Sequence, residues 1–542
     1  MTDLSSIRKP LSVVAKLCYG IGGAGIEITW AVLGAYTSTF LVQVAQMPPL
    51  FATSIIFGSR AVDVFCNFIL GPLIDRTNTR WGKAKPWIMV SQLIIAVMNA
   101  LIWYVPDVGT DGKLAWYILL YTVMKIAMSG FSISHRTYLM FLSDDNSDRD
   151  SAVLYRSLVM VGGTVGGMAL HGQILASYRR SDFDACDNNA TYGANNTNSS
   201  MDDASLAMTK NGYMISAAAV CLLVLIGLIA TAFGTTERKD ISRISGGERA
   251  GQFQLRTLKT VLTFRPYVFY LVTYFCVQTS ASIGHGAVAL YAQYSLDLED
   301  QIENVILAVM TSSALAIPLI AFIVSKFGKK TTYICCQLVG IPLYIGFQFV
   351  PNGSLAVYAI VITFGISLGS HYFIPWLMLT DIIEGCYLQT KERLDTTFVA
   401  LTLSINSLGI TLGLMMATIG LEIAGYKLGS CVQPDTVGSA MRILLSAFTS
   451  VLTVVGVVFL WQYPITGERQ KEIMEAIKKR KLANAFQHDA SKRNGSLSDM
   501  NEKALIPVEI LSSTAKGLEE EDNILSSKTD LSVLFDCRES VI

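Results

Sequence analysis

Apolar residues in this chain gather into long runs separated by short polar loops. Twelve runs stand out, at 17–42, 50–74, 86–105, 115–141, 152–177 and 212–235, then 267–296, 304–325, 331–350, 355–382, 396–423 and 438–463. A bilayer core is crossed by about 20 apolar residues in a helix, so each run predicts one transmembrane helix. A charged stretch over 237–266 divides them six and six, the layout of a transporter built from two similar halves, 17–236 and 267–463. The opening segment 1–16 is polar and basic, and the first run beyond it is too long for a signal-peptide core. The polar tail 464–542 begins with a basic, helix-prone part from Glu468 to Gln487. Its Ile473, Ile477, Leu482 and Phe486 fall near helical spacing, suited to the inner leaflet or to a solvated helix. From Ser491 onward polar residues dominate and no fold is expected. The pattern predicts an all-α membrane protein with twelve transmembrane helices.

Composition agrees. The 542 residues are 51% hydrophobic and only 15% charged, against about 25% in a soluble chain. Lys plus Arg equals Asp plus Glu at 42 each, which leaves no electrostatic footprint for a nucleic-acid partner. The placement of bases is more informative. Arg76, Arg80, Lys83 and Lys85 follow the second run, seven bases from Arg238 to Arg265 follow the sixth, Lys326, Lys329 and Lys330 the eighth, and Lys391 and Arg393 the tenth. The alternate loops are poor in bases, so the positive-inside rule predicts that both termini are cytosolic.

The long loop after the fifth run then falls outside, and it carries three glycosylation sequons, at Asn189, Asn195 and Asn198. Such sequons imply passage through the secretory pathway and point to the plasma membrane. Cys186 lies in this loop and Cys431 in another external one. On the oxidising side the two thiols either bridge the halves or stay separate. The cysteines inside apolar runs read as small buried hydrophobes.

Ionisable residues within the runs carry the functional signal, because charge at mid-bilayer is costly and faces a cavity or a partner. Glu27 is in the first run; Arg60 and Asp63 share one face of the second; Lys125 is central in the fourth, with His135 and Arg136 further along; Arg156 opens the fifth. His285 is in the seventh run, and His371, Asp381 and Glu384 are in or beside the tenth. The first-half set suits an anionic or zwitterionic head group, or a cation shuttle, or structural ion pairs. Asp381 and Glu384, on one face near a helix end, suit gating or pairing. There is no P-loop, HExxH or CxxC motif, and no enzyme chemistry is expected.

The stretch Asp75–Arg76–Thr77–Asn78–Thr79–Arg80–Trp81–Gly82–Lys83–Ala84–Lys85–Pro86–Trp87 resembles the gating loop of the glycoside–pentoside–hexuronide cation symporters, a group with the major facilitator fold. Arg149–Asp150–Ser151–Ala152 with Tyr155–Arg156, Lys326–Phe327–Gly328–Lys329–Lys330, Pro375–Trp376, and Ala424–Gly425–Tyr426 leading to Cys431–Val432–Gln433–Pro434 resemble one branch of that group. That branch contains the sodium-dependent lysophosphatidylcholine symporters and sphingosine-1-phosphate exporters. The resemblance covers Leu11 to Arg469 and implies two six-helix halves. Asp75, Arg80, Lys83 and Lys85 would gate. Asp63 matches the first aspartate of the group's cation site, and Asn67 stands where the second would be. Arg156 matches the substrate-binding arginine, and Glu27 the acid that binds sugar hydroxyls in melibiose-type members. Lys125 and His285 stand where the lipid branch has glutamates.

The implied coupling ion is Na⁺ or H⁺. An amide in place of one carboxylate and an ammonium nearby work against Na⁺, so Na⁺, H⁺ and uncoupled movement all stay open. The leading expectation is a carrier of an amphipathic lipid, of the lysophospholipid or sphingoid-phosphate type, embedded among membrane lipids as a monomer. The alternative is a cation-coupled symporter of a sugar or other small polar solute. A scaffold retained as a sensor is the third reading.

Overall fold

A computed structural model describes residues 11–77, 79–143, 145–178, 199–237, 255–296, 302–351, 356–390, 394–426 and 434–477. Cys186, Cys431, Asn189, Asn195 and Asn198 lie outside the described residues. The first half contains α1 (Val13–Thr39, prolonged by a π-helical turn Phe40–Val44), α2 (Pro49–Arg76), α3 (Lys85–Ile102), α4 (Thr110–Leu142), α5 (Asn146–Tyr178) and α6 (Ser199–Gly234). A short α7 (Leu255–Thr263) lies in the linker. The second half contains α8 (Arg265–Leu296), α9 (Ile302–Phe327), α10 (Lys329–Gly346), α11 (Ala356–Thr390) and α12 (Asp395–Ile423). Its last rod joins α13 (Asp435–Ile443), a π turn (Leu444–Phe448) and α14 (Thr449–Trp461).

Among the described residues, a long helix thus occupies each of the twelve apolar runs. Ten of them are long and apolar enough to cross a bilayer. The two that fall short are α8, diluted by Thr, Ser, Gln and Tyr, and α10, with 18 residues that open on two lysines. The chain turns where the backbone must. Prolines stand at the first turn of α2 and α3, where an N–H is dispensable, and glycines at φ +113°, +82° and +79° end connections at Gly82, Gly328 and Gly425.

Side-chain contacts assign each helix end to one of two faces of the bundle. Lys16 at the start of α1 meets Asp148 at the start of α5, with Nζ to Oδ1 2.8 Å. Lys330 at the start of α10 donates to the Trp461 and Tyr463 carbonyls past the end of α14. We call this face the base. At the opposite face, the mouth, Lys113 on α4 donates to the Ala45 carbonyl past α1, and Arg442 on α13 donates to the carbonyls of Ser295, Gln348 and Val350.

In the first half α1 packs on α5 and α6, and α3 on α4 and α6; in the second, α8 packs on α12 and α14, and α11 on α9 and α10. The halves meet through α2 against α12 and α5 against α9, with α4 also touching α12. Small residues permit the closest approaches. At Gly25 an added Cβ would stand 2.7 Å from the Val224 backbone of α6. Overfilling a packed contact costs about 1–3 kcal/mol, so Gly25→Ala is expected to lower thermal stability in detergent; an unchanged melting temperature would show that α1 and α6 can part at no cost.

Large apolar side chains such as Phe65, Leu315, Phe349 and Ile423 are exposed around the bundle. Such a surface is soluble only in lipid. The tail departs from expectation near its start: residues 467–477 form a helix whose Ile473 and Ile477 are buried. Ile473 lies beside Gly385 of α11, as do Phe264 and Ile465. Ile473 and Ile477 are therefore packed against protein, while Leu482 and Phe486 lie outside the described residues.

Candidate functional site

The ionisable residues of the first half converge from four helices. On α4, Lys125 and Arg136 are eleven residues apart, about three helical turns, so they share a face with Ser129. On α2, Arg60, Asp63 and Asn67 share another, and on α1 Glu27 and Trp30 stand three apart. These faces meet at mid-depth.

Two neighbouring groups result. Toward the base, Glu27 Oε1 is 3.3 Å from Arg156 Nη2 and 4.0 Å from Arg136 Nη2. The Arg136 guanidinium lies over the Trp376 ring, 4.1 Å from its centroid, which brings α11 of the second half to the site. Tyr274 of α8 and Tyr372 of α11 are within electrostatic range of Glu27. One turn further along α1, Arg60 and Lys125 both sit on the Trp30 ring, 4.6 and 5.1 Å from its centroid. Asp63 accepts hydrogen bonds from Ser129 of α4, at 2.6 Å, and from Ser407 of α12. Asn67 is buried, and its Oδ1 has no hydrogen-bond partner among the described residues.

A cavity between the halves is lined by Tyr19, Arg136, Arg156, Trp376, Thr380 and Val399 among others. Glu27 keeps 28% of its side chain accessible. Arg136 and Arg156 thus line a small cavity at the seam of the halves, and Glu27, which pairs with both, is not fully sealed. Of the expected residues, Arg156 lines the cavity and Glu27 pairs with it, Arg60 and Lys125 meet on Trp30 in the neighbouring group, and Asp63 and Asn67 share the face of α2 beside Arg60. The side chain of His285 lies outside the described residues. His135 is stacked between Tyr19 and Phe131 and bonded to the Tyr19 carbonyl, and His371 bonds to Gln278 and Tyr333; both are packing residues. Arg136, one of the first-half ionisable set, joins Glu27. Its spacing from Lys125 was the available signal. Trp30, Trp376, Ser129 and Ser407 carried none, because a tryptophan or serine within an apolar run is ordinary.

Below the cavity, charged pairs join the two halves at the base. Arg149 at the start of α5 forms an ion pair with Glu384 of α11, both fully buried. Lys329 of α10 bridges Asp150 of α5 at 3.2 Å and Asp381 of α11 at 3.0 Å. Gln470 of the tail helix donates to the same Asp381 oxygen at 2.9 Å. Thr396 of α12 donates to Asp75 of α2.

The loop after α2 is fixed by a residue outside the expected set. Glu237, beyond α6, accepts from the backbone N–H groups of Lys83, Ala84 and Lys85 at 2.8, 3.2 and 3.4 Å. It thereby satisfies the start of α3 with a carboxylate at the positive end of the helix. Burial pushes the Glu237 carboxyl upward, opposed by those three N–H bonds and by Lys83. Burial pulls the Lys83 ammonium downward, against the attraction of Asp75, Glu237 and Asp395. Only glycine fits at position 82, since a Cβ there would collide with the Glu237 carboxylate. Lys85 Nζ caps the carbonyls of Ala232 and Thr235, and Arg80 is exposed at the turn.

The profile of the family described as MFS/sugar transport protein matches residues 18–467. The chain belongs to that family. Within the MFS/sugar transport family it is similar to a sodium-dependent lysophosphatidylcholine symporter of Gallus gallus, 31% identical over 87% of this chain and 90% of the relative. The human protein of that name is 28% identical over 92% and 93%. A sphingosine-1-phosphate transporter of Xenopus tropicalis is 27% identical over 85% and 90%. Among solved structures, the E. coli fucose:proton symporter superposes with a TM-score of 0.57 at 14% identity, covering 84% of this chain and 98% of that one. This establishes the all-α, multi-pass major facilitator architecture anticipated from the motifs. The resemblance to the lysophosphatidylcholine symporter branch is likewise established.

Proposed function

We propose that this protein is an alternating-access carrier of an amphipathic lipid in the plasma membrane, with the base and both termini cytosolic. The observation that carries the reading is the cavity at the seam: Arg136 and Arg156 of one half, both paired with Glu27, line it together with Trp376 of the other. A site shared by two halves is emptied when they rock apart, which is the physical requirement for alternating access. The relatives named for lysophosphatidylcholine and sphingosine 1-phosphate support a lysolipid as cargo. Pairing of Glu27 with two arginines leaves it a poor acceptor for sugar hydroxyls, which favours the lipid over the sugar.

Orientation follows from the basic loops, which belong to the base. The sequons at Asn189, Asn195 and Asn198 and the cysteines Cys186 and Cys431 then belong to external loops, with the two cysteines bridging the halves. Arg149–Glu384 and Lys329–Asp150, with the Asp75, Lys83 and Lys85 loop, form the inner gate, and Arg80 is its exposed edge.

Na⁺ is the coupling ion, as in the relatives' names. The Asp63 carboxylate, the Asn67 amide oxygen and the Ser129 and Ser407 hydroxyls are hard oxygen donors of the type alkali and alkaline-earth ions select. In proteoliposomes holding the purified protein, a labelled lysolipid is expected to enter without competition from excess hexose. Entry should fall at least tenfold when choline replaces Na⁺ at constant pH, and likewise in Asp63→Ala. Competition by hexose would return the protein to the sugar reading; Na⁺-independent entry would remove sodium from the mechanism.

A further inference from the structure

The central site carries more positive charge than negative. Among the described residues, Arg60, Lys125, Arg136 and Arg156 face the carboxylates of Glu27 and Asp63 alone. Two cationic charges are left over at mid-bilayer depth, where an uncompensated ion is costly. Three of the arginines also hold a buried nitrogen with no hydrogen-bond partner among the described residues: Arg60 Nη1, Arg136 Nε and Arg156 Nε. A guanidinium cannot shed its charge to relieve this, so the site asks for an anion with several acceptor oxygens.

Both tryptophans of the site are already taken. Trp30 is covered by Arg60 and Lys125, and Trp376 by Arg136. An aromatic face is what a quaternary ammonium head requires, and here choline would have to settle beside two or more protein cations.

We infer that the cargo is a lysolipid whose head group is a phosphate monoester, and that Lys125 with Arg60 sets this preference over zwitterionic choline lipids. The inference rests on the lipid-carrier reading and narrows its substrate class. A phosphate monoester brings about −1.5 to −2 charges at pH 7 and three terminal oxygens, which matches the excess and the open donors in lysophosphatidic acid; in sphingosine 1-phosphate the ammonium offsets about one of those charges and leaves the same three oxygens. A phosphocholine brings one negative and one positive charge and leaves the excess in place. The two cationic groups are separated by about 4.5 Å along α1, the rise from Glu27 to Trp30, so one phosphate and the polar group beside it span both.

The test uses the full-length protein in proteoliposomes with sphingosine 1-phosphate, oleoyl lysophosphatidic acid and oleoyl lysophosphatidylcholine as probes, and inorganic phosphate and glycerol 3-phosphate as competitors. Both monoester lipids are expected to show kcat/KM at least tenfold above the choline lipid, and the free phosphates to compete poorly. Lys125→Glu should cut that ratio by at least tenfold, and Lys125→Gln by less; the ratio in the unmutated protein tests the inference even if neither variant folds. Equal or better transport of the choline lipid would overturn the inference and leave the lipid carrier intact. Strong competition by inorganic phosphate would show that the site serves free phosphate, and failure of all three lipids would take both readings down.

Discussion

Arg149→Ala is expected to open the base. Arg149 and Glu384 are buried at 0% and 1% exposure and belong to different halves. Removing one partner of such a pair leaves the other as an uncompensated buried charge, at a cost of about 3–5 kcal/mol. That cost falls on the base-closed state alone, because Glu384 gains water once the halves part. Each half keeps its own apolar packing, so unfolding is not the escape route. A penalty of that size shifts the closed-to-open ratio by about two to four orders of magnitude.

Lys329 is a smaller lever, since it retains Asp381 on its own half when Asp150 departs. Labelling of a Thr380→Cys reporter in the cavity lining by an impermeant maleimide from the base side, read by mass spectrometry, should rise steeply in Arg149→Ala. In the Arg149→Ala/Glu384→Ala double variant no charge is stranded, and labelling should return toward that of the reporter alone. If the double variant labels as fast as the single one, loss of the pair itself, and not a stranded Glu384, is what opens the base.

What the sequence conveyed about this architecture depended on range. Helix positions were legible because membrane insertion is a local criterion of length and apolarity, and ten helices satisfy it on their own. α8 and α10 satisfy it poorly because their polar residues pair inside the bundle: Gln278 with His371 and Ser282, Lys329 with two carboxylates. Charges within runs were legible as a set, since burying any of them demands compensation. Which charge meets which was not. Arg136 shares a face with Lys125 by its angle on α4, but nothing local to α4 shows that its partner is Glu27 of α1. Glu237 was unremarkable in a linker rich in charge, and only the start of α3, some 150 residues earlier in the chain, gives it a task. The tail isoleucines were visible as a stripe, but Gly385, beside which Ile473 lies, is contributed by a distant segment.

Arg156→Ala is expected to reduce transport by at least a hundredfold in kcat/KM. Arg156 is 5% exposed, directs Nη2 at Glu27 and keeps Nε without a partner at the cavity wall. Its neighbour Arg136 cannot substitute, being held over the Trp376 ring and 4.0 Å from Glu27. Lysine offers a point charge in place of a planar fork, so Arg156→Lys should recover only a small part of the loss. Folding should be largely spared, because Glu27 remains partly accessible to water and is not stranded by the change. The decisive comparison is Arg156→Ala with and without Glu27→Gln. If Arg156 serves only to neutralise Glu27, removing the carboxylate as well restores transport. If Arg156 grips the head group, the double variant stays as inactive as the single one, at equal surface expression and melting temperature. Restoration, or a loss of less than about threefold in the single variant, would assign Arg156 to the scaffold and move the binding role to Arg136 and Arg60.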